Sequence, residues 1–275
     1  MTHPEALLEF QSRENGAAVG ILTVANPDKL NCLGSELLVE LQEKLDEMAS
    51  NEDLRVAVLQ GAGDRSFIGG ADINELAKLD KKGARAFITL VHGVCQGLRD
   101  LPVPVIAKIS GYCLGAGLEI AAACDLRVAT EQSQFGMPEV VLGVPSVVEA
   151  ALLPQLVGWG RTRELVFGGR SYMAGEVEGW GLVERVVARG EIDRAVDQWV
   201  EAIMRAGPRA IRLQKKLIRQ WESLPLKEAI EAGIDAFVDA FDTDEPRERI
   251  EGFLARRKEQ KRPVSAPADG LGDEE

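Results

Sequence analysis

The chain has 275 residues, 45% hydrophobic and 28% charged, a balance that suits one large soluble domain or two modest ones and disfavours collagen-like, disordered and membrane-embedded classes. Its 44 acidic against 32 basic residues leave a net charge of −12, which repels phosphate backbones, so no nucleic acid is expected as a main partner. Four cysteines without a Cys-x-x-Cys pair read as reduced core residues, and two histidines leave almost no material for a zinc site or a Ser-His-Asp triad. No metal is expected.

The opening Met1-Thr-His-Pro-Glu-Ala carries no basic start followed by an apolar stretch, so a cytoplasmic location is expected, with no membrane partner. Short β-branched runs follow at 18–24, 56–60, 103–109, 126–129 and 183–187 and read as strands. Between them, residues 35–49 place Leu37, Leu38, Leu41, Leu45 and Met48 at helical spacing, with Ser35 as the expected N-cap. Residues 84–99 give a second helix, and 114–124 a third that is apolar nearly all round and hence buried. This alternation is the pattern of a mixed α/β layered fold. After Asp193 the strand signals stop and helices are expected over 192–206, 208–221 and 225–241, with Pro208 at a first helical position.

Two segments share a plan of strand, glycine-rich turn and helix start: Phe67-Ile-Gly-Gly-Ala-Asp-Ile and Gly111-Tyr-Cys-Leu-Gly-Ala-Gly-Leu-Glu. Taken singly, each turn reads equally as tight packing or as a set of free N–H groups at a helix start. Facing one another, two such turns would aim two donors at one oxygen and stabilise an enolate or oxyanion. Neither turn is a dinucleotide fingerprint, since each lacks the third glycine. Glu119 is the only charged residue between Lys108 and Asp125, in a helix of Leu, Ala, Gly, Ile and Cys. Such a carboxylate is either paired with a distant cation or kept protonated and poised to exchange its proton. Glu139, in Phe135-Gly-Met-Pro-Glu-Val-Val-Leu-Gly, would by itself read as a solvated loop residue.

These motifs, with Asn26-Pro-Asp-Lys-Leu-Asn31, Ala123-Cys-Asp-Leu and Glu251-Gly-Phe-Leu-Ala-Arg-Arg-Lys, resemble the crotonase superfamily, specifically enoyl-CoA hydratases, from near the N-terminus to the last predicted helix. The resemblance implies a crotonase-like spiral of ββα units over 1–192, a helical C-terminal lobe over 193–261 used for trimerisation, and a mobile tail at 262–275. It implies an acyl-CoA thioester substrate and a homo-oligomer, a trimer or dimer of trimers, with no separate cofactor because CoA belongs to the substrate. By the same resemblance the backbone N–H groups of Ala71 and Ala116 form the oxyanion hole, and Glu119 and Glu139 are the two catalytic carboxylates. Lys29, Gly69, Gly70, Asp72, Ile73, Leu142 and Gly143 fall on substrate-binding positions, and Arg256, Arg257 and Lys258 on the helix that reaches the CoA phosphates. Hydrolase or isomerase chemistry on CoA thioesters, and a non-catalytic RNA-binding role, are the alternatives within the same superfamily.

One stretch departs from the hydratase pattern. Where a glycine-rich loop is usual, this chain carries Leu142-Gly-Val-Pro-Ser-Val-Val-Glu-Ala-Ala-Leu-Leu-Pro154. Val147 and Val148 read as pocket wall or as core, and Val148 is the position at which a glycine would be expected to broaden acyl acceptance. Glu149 reads as a solvated helix residue or as a further acid–base group. Arg205, Arg209, Arg212, Lys216 and Arg219 recur at helical spacing with no acid among them and read as a solvated face.

Overall fold

The computed structural model describes residues 3–13 and 16–260. The tail at 262–275 and the side chain of Lys258 lie outside the described residues. In chain order the elements begin with β1 (Glu5–Ser12), β2 (Ala18–Ala25), α1 (Ser35–Ser50), β3 (Leu54–Gly61), β4 (Ser66–Ile68), α2 (Ile73–Leu76) and α3 (Lys81–Asp100). There follow β5 (Val105–Ile109), β6 (Tyr112–Leu114), α4 (Ala116–Ala123), β7 (Leu126–Thr130) and β8 (Gln134–Gly136). Two 3-10 turns, Pro138–Leu142 and Val148–Leu152, lead into α5 (Leu153–Gly168), which is broken at Gly158. The rest are β9 (Ser171–Met173), α6 (Ala174–Glu178), β10 (Arg185–Val187), α7 (Ile192–Arg205), α8 (Pro208–Trp221), α9 (Leu226–Ala240) and α10 (Glu245–Gln260).

Two sheets share these strands. The larger has the order β1-β2-β3-β5-β7-β10, parallel from β2 onward, and the smaller has the order β4-β6-β8-β9. Each pass of the chain lays one strand in the larger sheet and the next in the smaller: β3 then β4, β5 then β6, β7 then β8. The first two of these passes lead on into a helix. This is the ββα spiral that the resemblance implies.

The central strands of the larger sheet are buried on both faces because β-branched and aliphatic residues hold most of their positions, and strand side chains alternate. Ala57, Leu59, Val105, Ala107 and Ile109 face the main core with α1, α3 and α4. Val56, Val58, Ile106 and Val128 face the other way, against Ile192, Ala195, Val196 and Val200 of α7. The first of the C-terminal helices is thus a layer on the sheet, and contacts divide the chain at a later point, into Met1–Arg219 and Gln220–Glu275. Ser35 opens α1 as its first residue, with Gly34 at the cap; its N–H and hydroxyl both donate to Glu75.

Part of the basic stripe is solvated as expected, at exposed Arg205 and Lys216, and part is not. Arg212 donates to the carbonyls of Glu52 and Leu54, Lys215 beside it is buried against Asp125, and Arg219 pairs with Asp100. These cations hold α8 onto the β2–β3 and β7 approaches, contacts between residues far apart in sequence. Among the described residues no helix is long and apolar enough to cross a membrane.

Candidate active site

Three parallel strands, β4, β6 and β8, lie side by side, so the turns that leave them emerge together at one edge of the small sheet. The β4 turn carries Gly69–Asp72, the β6 turn Gly115–Gly117, and the β8 turn Met137–Leu142. Gly115 N–H donates to the Gly136 carbonyl at 2.9 Å, which locks the second and third turns to each other. Adjacent register brings Ala71, Ala116, Glu119 and Glu139 together although they span nearly seventy positions of sequence.

The glycines are needed for this approach. Gly70 sits at φ +111° and Gly115 at φ +53°, in the region that favours residues without a Cβ. A Cβ at Gly115 would also lie 2.5 Å from Oε1 of Glu139, so its absence gives that carboxylate its place. Ala116 is the first helical residue of α4, where backbone N–H groups have no intrahelical acceptor. Ala71 bridges to Leu33 through its neighbours, Leu33 N–H to Gly70 O and Asp72 N–H to Leu33 O, which leaves its own N–H directed elsewhere.

Glu119 lies in the first turn of α4 and is 3% exposed. Burial pushes its pKa up to about 8, and the negative charges of Glu139 and Glu149 add to the rise, against the Val147 and Ala150 N–H groups that favour the ionised form. Val147 N–H reaches Oε1 at 3.2 Å, and no cation pairs with Glu119 among the described residues. Of the two readings open for this residue, the pairing with a distant cation finds no partner among the described residues. Glu139 is half-buried and accepts the Ser146 hydroxyl at 2.8 Å.

A cleft of about 910 Å³ opens over these groups. Gly69, Gly70, Ala71, Ile73, Ala116, Glu119, Glu139 and Leu142 all line it. Lys29 and Asp72 pair with each other at 2.8 Å beside it, which holds the lysine ammonium above and the aspartate carboxyl below their ordinary pKa ranges. Gly143 closes the 3-10 turn in the left-handed region and is not part of the lining. Buried Asn31 holds the loop that carries Lys29: its side chain donates to Ala62 O and Ser66 O and accepts from Asn26 N–H. Arg256 and Arg257 are exposed on α10, in the second unit.

The sequence reading missed one wall of the cleft, made by Leu76, Leu79, Phe87, Ile88 and Val91 of α2, α3 and the turn between them. The helical spacing of 84–99 signalled an apolar face, but not that part of it would be left uncovered. Two expectations for the departing loop are overturned. Val147 lines the cleft, whereas Val148 packs on the main core at φ +38° and is not part of the lining. Glu149 is buried, at 7% exposure, and bonded to His92 at 2.8 Å instead of solvated.

The backbone at Ala71, just before α2, and at Ala116, the first residue of α4, lines one apolar cleft with two carboxyls, an arrangement that can hold an enolate oxygen and exchange protons at the neighbouring carbons. The chain belongs to the enoyl-CoA hydratase/isomerase family, whose model matches residues 14–262. It is 32% identical to the short-chain-enoyl-CoA hydratase of Clostridium acetobutylicum, across 89% of this chain and 94% of that protein. It is 34% identical to a mevalonyl-coenzyme A hydratase of Aspergillus fumigatus, across 88% and 91%. An enoyl-CoA hydratase structure from Bacillus anthracis superposes with a TM-score of 0.84 at 30% identity, covering 90% of this chain and 96% of that one.

Proposed function

We propose that the protein hydrates the C2=C3 bond of a 2-enoyl-CoA thioester, giving the 3-hydroxyacyl thioester. The observation that carries this reading is the carboxyl pair in the cleft, one member neutral at pH 7 by burial and the other within its electrostatic reach. Hydration needs one proton removed from water and one delivered to C2, so a pair holding a single proton supplies both a base and an acid. The thioester oxygen sits between the Ala71 and Ala116 N–H groups, which take up the negative charge that develops as water adds to C3. The ionised member of the pair takes a proton from water while the protonated member delivers its own to C2, and Glu119 and Glu139 share the two roles. Because the charge of Glu139 acts on Glu119, the pH dependence of the reaction reports the two together.

The same reading takes Lys29, Asp72 and Ile73 as contacts of the CoA side of the substrate, and Arg256, Arg257 and Lys258 as partners of its phosphates. Assembly as a trimer or dimer of trimers is part of the proposal. It is supported by Leu226, Ile230, Ile234, Phe237, Phe241 and Phe253, which leave the second unit with large apolar side chains exposed. A place in fatty acid metabolism follows from the substrate class.

The test is loss of the enoyl-thioester absorbance across an acyl panel from four to sixteen carbons, read in parallel with a thiol reagent. Absorbance loss without free thiol supports hydration; release of thiol at the same rate would identify a hydrolase instead. On the same panel, Val147→Ala removes two methyl groups from the cleft wall and is expected to raise kcat/KM for the longer chains relative to the four-carbon one by about 10-fold, the worth of one to two methylenes in an apolar pocket. An unchanged ratio would show that this wall does not select chain length.

A further inference from the structure

The loop that departs from the hydratase pattern places a third carboxylate beside the pair. Glu149 Oε1 is 2.8 Å from His92 Nδ1 on α3, and the buried Cys95 thiol of the same helix is a second, weaker hydrogen-bonding neighbour of this carboxyl. A buried carboxylate is costly to hold in the fold, and here its hydrogen-bonding neighbours both come from α3. The backbone adds a second sign: Val148, immediately before it, is held at φ +38°, a strained conformation for a β-branched residue. The short turn that buries Glu149 is the one whose Val147 and Ala150 N–H groups face Glu119. His92 itself is half-exposed, so the tether runs from the surface of α3 inward.

We propose that His92 and Glu149 are positioning residues for Glu119: their hydrogen bond pins the 147–150 turn to α3, and that turn fixes both the geometry and the electrostatic field of the Glu119 carboxyl. The titratable groups that face this cluster come from three elements besides the turn. They are Glu119 from α4, Glu139 from the β8 turn, and His92 with the buried Cys95 thiol from α3, with Cys124 beyond it. Cys95 feels both Glu149 and Glu119, which places its thiol near the two, and burial keeps it neutral. The negative charges acting on Glu119 are therefore those of Glu139 and Glu149. Glu149 is not part of the cleft lining, so it acts through Glu119 and not on the substrate.

The inference rests on Glu119 being the acid–base group of the proposed reaction, and three variants separate its failure from the failure of that reading. Glu149→Gln keeps a partner for His92 and removes the charge. His92→Ala cuts the tether on its exposed side, and His92→Asn restores a donor at the Nδ1 position. In Glu149→Gln the titration midpoint of Glu119, read from the protonated-carboxyl infrared band that Glu119→Gln deletes, is expected to fall by about half a pH unit to one pH unit, and the basic limb of the kcat/KM profile to fall with it. In His92→Ala kcat is expected to drop about 10-fold with KM within about twofold, the mark of a displaced catalytic group, and His92→Asn to recover most of it.

An unmoved midpoint in Glu149→Gln, or a His92→Ala loss that His92→Asn does not recover, overturns the positioning role. Full activity in Glu119→Gln instead overturns the acid–base reading on which it rests, while the infrared midpoint still reports whether Glu149 sets the field there.

Discussion

Glu119→Gln and Glu139→Gln are each expected to lower kcat for enoyl-thioester hydration by about 10²–10⁴-fold, the usual worth of a positioned acid or base, with CoA binding near wild type. The amides keep the shape of the carboxyls, and the amide oxygen of Glu119→Gln still accepts the Val147 N–H, so the loss isolates proton exchange from packing. Because both carboxyls act on one water in one step, the double variant is expected to lose far less than the product of the two single losses. Multiplicative losses would mean that they serve separate steps. A near-wild-type Glu119→Gln would remove the hydratase reading, since the desolvated carboxyl would then be a spectator.

The pH profile tests the same pair from another side. The active form carries one proton between the two carboxyls, so kcat/KM is expected to fall as pH rises through about 8, where the buried member loses its proton. This limb is the one that moves in Glu149→Gln.

How far the fold was legible differs between the two sheets. Strands β2, β3, β5 and β7 announced themselves because each is a run of five to eight residues dense in Val, Ile, Leu and Ala. The strands of the small sheet are three residues long, too short to show a period, and β4, β6 and β8 were visible only as the approaches to turns. Strand β1 was missed because, as the edge of the larger sheet, it interleaves Glu5, Glu9 and Gln11 with its apolar residues.

At the site, Glu119 was legible as one charge in an apolar helix. Glu139 was visible only through the resemblance, because its neighbours across the strands lie some twenty to seventy positions away. Glu149 misled for a physical reason: its burial depends on a positive φ at Val148 and on a histidine 57 positions earlier, and neither leaves a local pattern. The basic stripe misled in part for a similar reason, since helical spacing shows that cations share a face but not that the Glu52 and Leu54 carbonyls, some 160 positions before Arg212, wait opposite that face.

The stability of Glu119→Gln is expected to gain on wild type as pH rises, and this links the chemistry to the fold. The folded protein holds the Glu119 proton up to about pH 8, whereas the unfolded chain releases it near 4.5, the ordinary value for glutamate. Between these pH values the native state binds more protons than the unfolded one, so stability declines with rising pH across that window and levels off above it. Each pH unit that separates the two values is worth about 1.4 kcal/mol, so the buried carboxyl costs the wild type on the order of a few kcal/mol at pH 9 relative to pH 4. Glutamine does not titrate, so this penalty is absent from the variant at every pH. The melting temperature of Glu119→Gln minus that of wild type is therefore expected to increase from pH 4 to pH 9 by roughly 10–20 °C, taking ~5 kcal/mol over that window and about 2–4 °C per kcal/mol for a chain of this size. A difference that stays flat across the range would show that Glu119 titrates as an exposed carboxylate does, and would remove the desolvation on which its acid–base role depends. A rising difference would mean that the change that abolishes turnover also relieves the fold, as expected where a site is kept unstable for the sake of its chemistry.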